Sequence, residues 1–256
     1  MSLAKTVNQI REIIRETFCG KENYSFGFRD GVDAMRGHLV SYLNAIDHES
    51  VGPPDLIGKI EGDLRLKECK LLVEQCRCGI SKEMEPDGLS LSEGPLKSSD
   101  KIRLANLLMI PEQLEAAQFS MRRVIKQTSS LIKEVVEGNG EEEREERGLS
   151  EFAQLEIREI CQRLNTITVF TACLMRESPS GFPGETHISH LSDQLAEFVG
   201  LAMDRHVGRL LRGDCRLGHD MRYRIILDSF GRLGYRLAQI ACHWSASERS
   251  ESKEQP

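Results

Sequence analysis

The 256-residue chain carries 34 Lys and Arg against 40 Asp and Glu, a formal net charge of −6, and is 39% apolar and 29% charged. That size and apolar content suffice for a full core and exclude wholesale disorder. The acidic balance excludes a general nucleic-acid coat, so any polyanion binding needs a local basic patch.

Val7, Ile10, Ile14 and Phe18 on one face predict a first helix over about 3–18 of the N-terminal stretch. It carries charges throughout and lacks the continuous apolar core of an export signal. A Gly-containing loop follows, and Val32, Met35, Leu39, Leu43 and Ile46 predict a helix over 30–47. Pro53-Pro54 break the chain, and Asp55 then opens a predicted helix to about 77 carrying Ile57, Ile60, Leu64 and Leu71. Residues 79–100, rich in Gly, Ser and Pro, predict an exposed loop. Asp100 reads as the N-cap of a short helix to Ile110, and Pro111 as the first turn of a separate one to 137. The latter carries Leu114, Ala117, Met121, Val124, Thr128, Leu131 and Val135, and stops at Gly138-Asn139-Gly140.

The acidic run EEEREER occupies 141–147, within a predicted linker over 139–148. A second helical set follows. Ile157, Ile160, Leu164, Ile167, Thr171 and Leu174 mark one helix over 150–175. A turn-rich loop over 176–186 separates it from the helix carrying Leu191, Leu195, Phe198 and Ala202. Tyr223, Ile226, Phe230, Leu233, Leu237, Ile240 and Trp244 mark the last, with a disordered tail expected over 245–256. The fold class is all-α, a bundle of about seven or eight helices by this periodicity. It is read as two packed halves, 1–138 and 149–244.

The second half has one compositional anomaly. No lysine occurs between Lys133 and Lys253, and eight arginines fall in 201–240 against four aspartates. Arg205, Arg209, Arg212 and Arg216 recur at i, i+4, i+7 and i+11, one stripe on a continuous helix. Arg222, Arg224, Arg232 and Arg236 extend the basic set. A guanidinium fork suits phosphate or carboxylate, so the eight are candidate binding residues for phosphate groups or an acidic partner. Against this stand internal pairing, the interspersed aspartates and Gly213 within the stripe. Tyr223, Phe230, Leu237 and Trp244 form an apolar seam that closes the core or covers a partner subunit.

Cys215 and His219, four apart, with His187 and His190, three apart, are the least unfavourable zinc set, but no CxxC pair supports it. No metal and no cofactor is expected. The eight cysteines sit mostly in apolar helical patterns and read as reduced thiols of the cytosol or nucleus. Gly231-Arg232-Leu233-Gly234 lies inside the last helix and is read as permitting close packing. There is no GxSxG, phosphate loop, HExxH or GxGxxG.

The expectation is a non-enzymatic helical protein that binds macromolecular partners and self-associates. One alternative is a viral matrix- or nucleocapsid-associated protein that binds RNA or anionic membrane through the stripe. Length, helicity and scattered Cys and His are compatible with matrix proteins of the orthomyxovirus kind, though no motif carries that likeness. The second alternative is a small helical enzyme or zinc-dependent fold.

Overall fold

In a computed structural model of the chain, residues 3–20, 27–47, 74, 98–137, 149–176, 184–215 and 217–252 are described. Among them are six α-helices and no strand. They are α1 (Leu3–Cys19), α2 (Phe28–Asp47), α3 (Ser98–Glu137), α4 (Glu151–Arg176), α5 (Glu185–Arg212) and α6 (Leu217–Ser252). The all-α class is as expected, with six helices rather than seven or eight. The helix expected over 55–77, all of the 79–100 loop before Ser98 and the acidic linker lie outside the described residues, apart from Glu74.

Helix count falls partly because two expected helices are one. α3 runs without interruption through Pro111. Proline inside a helix removes one backbone bond and costs about 3 kcal/mol. Leu104, Leu107, Ile110, Leu114 and Ala117 are all buried along the face that crosses it. Each buried leucine or isoleucine contributes roughly 1.5–3 kcal/mol, so a continuous apolar face outweighs the proline.

Side-chain contacts fix the helix directions. Arg123 with Asp228, Gln113 with Arg236 and Asn106 with His243 run α3 antiparallel to α6. Val199 against Gly231, Leu195 against Gly234 and Ser189 with Cys242 do the same for α5 and α6. Glu156 with Arg209, Arg163 with Phe198 and Phe170 with His187 set α4 antiparallel to α5. At Gly234 an added Cβ would lie 2.5 Å from the Leu195 Cδ2. That glycine lets α5 approach α6, as its place in the last helix predicts.

The α1–α2 pair packs on α3 and α4. Phe18 and Phe28 stack at 5.6 Å between ring centres. Asp30 accepts from the Gly27 N–H at 2.8 Å, the return bond of a capping box, and so starts α2. α3 makes its most extensive packing with α6. One apolar core runs through all six helices, from Val7 to Trp244, joining both halves of the sequence.

The tail is a correction. α6 stays helical to Ser252, with Ser245 and Ser247 buried. Glu248 pairs with Arg11, Arg249 pairs with Glu185, and the Arg11 guanidinium lies 5.4 Å from the centre of the Trp244 ring. Docking on α1 and α5 orders a segment whose composition alone predicts fraying.

Candidate functional site

The second half converges on one carboxylate. Glu156, one turn into α4, has its side chain only 7% exposed. Arg209 of α5 grips it with a fork, Nη1 donating to Oε1 at 3.2 Å and Nη2 to Oε2 at 2.7 Å. The Tyr223 hydroxyl of α6 donates to Oε2 as well. Arg205 reaches Oε1 from the surface at 3.8 Å, with 55% of its side chain exposed. Burial disfavours the Arg209 charge, but the Glu156 bonds outweigh it and raise its pKa above the ordinary range. Burial, with the bond to Glu156, raises the Tyr223 phenol.

His206 lies one turn before Arg209 and its ring meets Tyr223 at 4.6 Å between centres. It is buried, and Nε2 lies 2.8 Å from the Asp220 Oδ1 of α6. Nδ1 is buried with no hydrogen-bond partner among the described residues. Burial lowers the imidazole pKa, against the pull of the Asp220 hydrogen bond. With one nitrogen bonded and the other dry, the neutral tautomer with hydrogen on Nε2 fits the site.

The arginine stripe is corrected in two ways. Arg209 is not a surface ligand, because its fork is spent on Glu156 inside the bundle. The helix that carries Arg205, Arg209 and Arg212 ends at Arg212, before the stripe's fourth position. Gly213, at φ 80, closes α5, with Asp214 N–H bonded to the Arg209 carbonyl at 2.9 Å. Left-handed backbone favours glycine, so the residue that looked like a weak point in a stripe is a helix stop. Arg216 lies outside the described residues.

Other arginines pair within the chain, and Arg212, Arg224 and Arg232 do so at the surface. Arg212 bonds Asp214 at 2.8 Å, Arg232 bonds Asp228 at 3.0 Å, and Arg224 approaches Asp220 at 3.8 Å. Arg236 donates to the Gln113 Oε1 at 2.8 Å and stands over Tyr235, while Arg222 is half-buried. Arg232 and Arg236 line an open depression of 490 Å³ between α3 and α6, with Glu112, Glu115 and Phe119. Its charges are mixed rather than basic. The seam residues Tyr223, Phe230, Leu237 and Trp244 are all buried in the core, so they are not a partner surface.

The zinc candidates His187 and His190 do not meet Cys215. His187 and His190 are exposed near the start of α5, while Cys215 follows its far end. At 1.5 Å per residue those ends are roughly 35–40 Å apart. His190 lies 3.1 Å from Gln194 instead, and the His219 side chain lies outside the described set. Cys19, Cys161, Cys173, Cys215 and Cys242 are free thiols. Burial pushes Cys161 up to about 12, which suits a packed thiol rather than a nucleophile.

Sequence reading had no signal for Glu156 or His206, since a single Glu or His on an apolar-periodic helix looks like any solvated position. It also had no signal for the apolar side chains left outside. Phe152 and Leu155 at the start of α4, Leu211 at the end of α5 and Met221 near the start of α6 are exposed, from 52% to 84%. These three helix ends adjoin, as the Glu156–Arg209–Tyr223 contacts and the approach of Cys215 to Ser150 show. Compared with known proteins, the chain matches no family model, no curated protein and no solved structure.

Proposed function

We propose that this is a helical assembly protein that works by binding protein partners, copies of itself included. The observation that carries the reading is the set Phe152, Leu155, Leu211 and Met221, exposed at one end of the α4–α5–α6 unit. Single exposed apolar residues are ordinary, but four large ones gathered at adjoining helix ends are the signature of an interaction surface. The polar cluster beneath them is structural. Its charges neutralise one another and lock the three helix ends in register, a rigid base for docking.

Binding RNA or an anionic membrane ranks second, because Arg209, Arg212, Arg224, Arg232 and Arg236 hold partners within the fold. Light scattering on the purified chain and on the double variant Phe152→Glu, Leu155→Glu tests the reading. Association of the parent that the variant loses, with circular dichroism unchanged, is expected. A strict monomer with no protein partner overturns it, and binding to RNA or anionic vesicles that falls steeply with salt favours the second reading.

A further inference from the structure

The outward face of α5 has a charge order that its own fold uses only in part, Arg205 approaching Glu156 and Arg212 bonding Asp214 at the surface while the acids opposite them are left over. Glu197, Leu201, Asp204, Gly208 and Leu211 follow one another at spacings of three and four, so they share a face. Glu197, Leu201, Asp204 and Leu211 are exposed, and Gly208 is half-buried. Arg205 and Arg212 flank it, with side chains 55% and 66% exposed. Along the helix the acids come first and the exposed arginines after.

Among the described residues the carboxylates of Glu197 and Asp204 make no hydrogen bond or ion pair, although every helix packed on α5 meets its other face. Gly208 is also unexplained from within. An added Cβ there would meet only the Arg212 guanidinium tip, at an ordinary 3.5 Å. Glycine inside a helix costs about 1 kcal/mol relative to alanine, so the fold tolerates a weaker helix where it has room for a better residue.

We propose that this face is the contact of a two-fold dimer in which α5 of one copy runs antiparallel to α5 of the other. Placing the axis between Asp204 and Arg205 sets Asp204 opposite the partner's Arg205 and Glu197 near the partner's Arg212. The same register sets Leu201 over the partner's Gly208 and beside its Val207, which is itself exposed. Only the antiparallel pairing opposes unlike charges along the whole face. A parallel pairing sets Glu197 against Glu197 and Arg212 against Arg212. The contact is self-complementary, as a closed two-fold dimer requires. The pairing rests on the assembly reading above and names its partner as a second copy of the chain. An interface built on one helix falls at the small end, below about 1,200 Å² in total, where association is weak.

Sedimentation velocity over a micromolar to several-hundred-micromolar series tests it on the full chain. Glu197→Arg and Arg212→Glu are each expected to weaken the dimer at least about tenfold, equivalent to about 1.4 kcal/mol. Combined in one chain, they are expected to restore it to within about threefold of the parent. Both positions are exposed, so circular dichroism stays unchanged in each. Association that neither swap alters, yet that Phe152→Glu, Leu155→Glu abolishes, overturns the α5 pairing and leaves the assembly reading standing. A parent chain monomeric throughout the series overturns the pairing outright. Weakening in both single variants without recovery in the combination also overturns it.

Discussion

Glu156 has less water around it than a lone carboxylate tolerates, and its stability comes from three donors on two other helices. Removing one side of such a group leaves the rest charged or unbonded in a dry place. Glu156→Leu strands the Arg209 fork and the Tyr223 hydroxyl, and is expected to cost about 3–5 kcal/mol in urea unfolding. Adding Arg209→Met and Tyr223→Phe to it replaces the whole set by apolar groups, and is expected to recover most of that loss. If the single and triple variants unfold alike, the cluster does not hold the helix ends.

His206 gives the same cluster a pH dependence. Asp220 and Tyr223 face it from α6, Arg209 from α5 and Glu156 from α4, with Arg224 near Asp220. In the unfolded chain the imidazole titrates near 6.5, and in the fold burial lowers it. Its contribution is therefore complete above about 6.5 and is lost as pH falls through the folded value. His243, bonded to Asn106 and also lowered by burial, adds a second loss of the same sign. Melting temperature is expected to fall as pH is lowered from 7, and to fall less steeply in His206→Gln. Equal slopes for parent and variant would remove His206 from this account.

At the scale of elements, the helices answer to two different controls. Where periodicity alone suffices, the expected face is the buried one. Val7, Ile10, Ile14 and Phe18 in α1, and all seven expected positions of α6, are buried. Punctuation reads less well. Gly213 looked like a blemish in a stripe and is a stop, while Pro111 looked like a boundary and is inside α3. A local signal ends a helix only where no apolar face continues beyond it.

Two glycine variants separate these controls. At Gly37, on the exposed side of α2, an added Cβ meets nothing within 4 Å. Gly37→Ala is expected to stabilise by up to about 1 kcal/mol through helix propensity alone. At Gly234 the same methyl meets buried Leu195, and overpacking of about 1–3 kcal/mol outweighs the propensity gain. Thermal melts of the two variants are expected to move in opposite directions. A rise in both would mean that α5 and α6 have room to spare.

At the largest scale, one core among the described residues couples the two halves of the sequence. α3 from the first half lies along α6 from the second, and α1 covers the α6 end through Arg11, Trp244 and Glu248. Trp244 is the only tryptophan, so its fluorescence reports on that junction. Urea unfolding followed by this fluorescence and by circular dichroism is expected to give coincident transitions. Two separated transitions would mean that the halves unfold independently. Deleting 245–256, which a reading of the tail as frayed would make harmless, is expected to lower the midpoint, since it removes the Arg11 and Arg249 pairings and the buried Ser247.

Helical periodicity alone specifies the all-α class and the inward face of each described helix. Those depend on side chains three and four residues apart, whose relation is fixed as soon as a helix forms. What the charges do is settled by packing between helices. Arg209 meets Glu156 across 53 residues of chain, and Arg11 meets Glu248 across 237. No local period encodes such a pairing. The spacing of Arg205, Arg209 and Arg212 could place them near one helical face, but not say which would be drawn inside. That depended on a carboxylate and a phenol brought up from two other helices, in a place dry enough for their attraction to outweigh the loss of water.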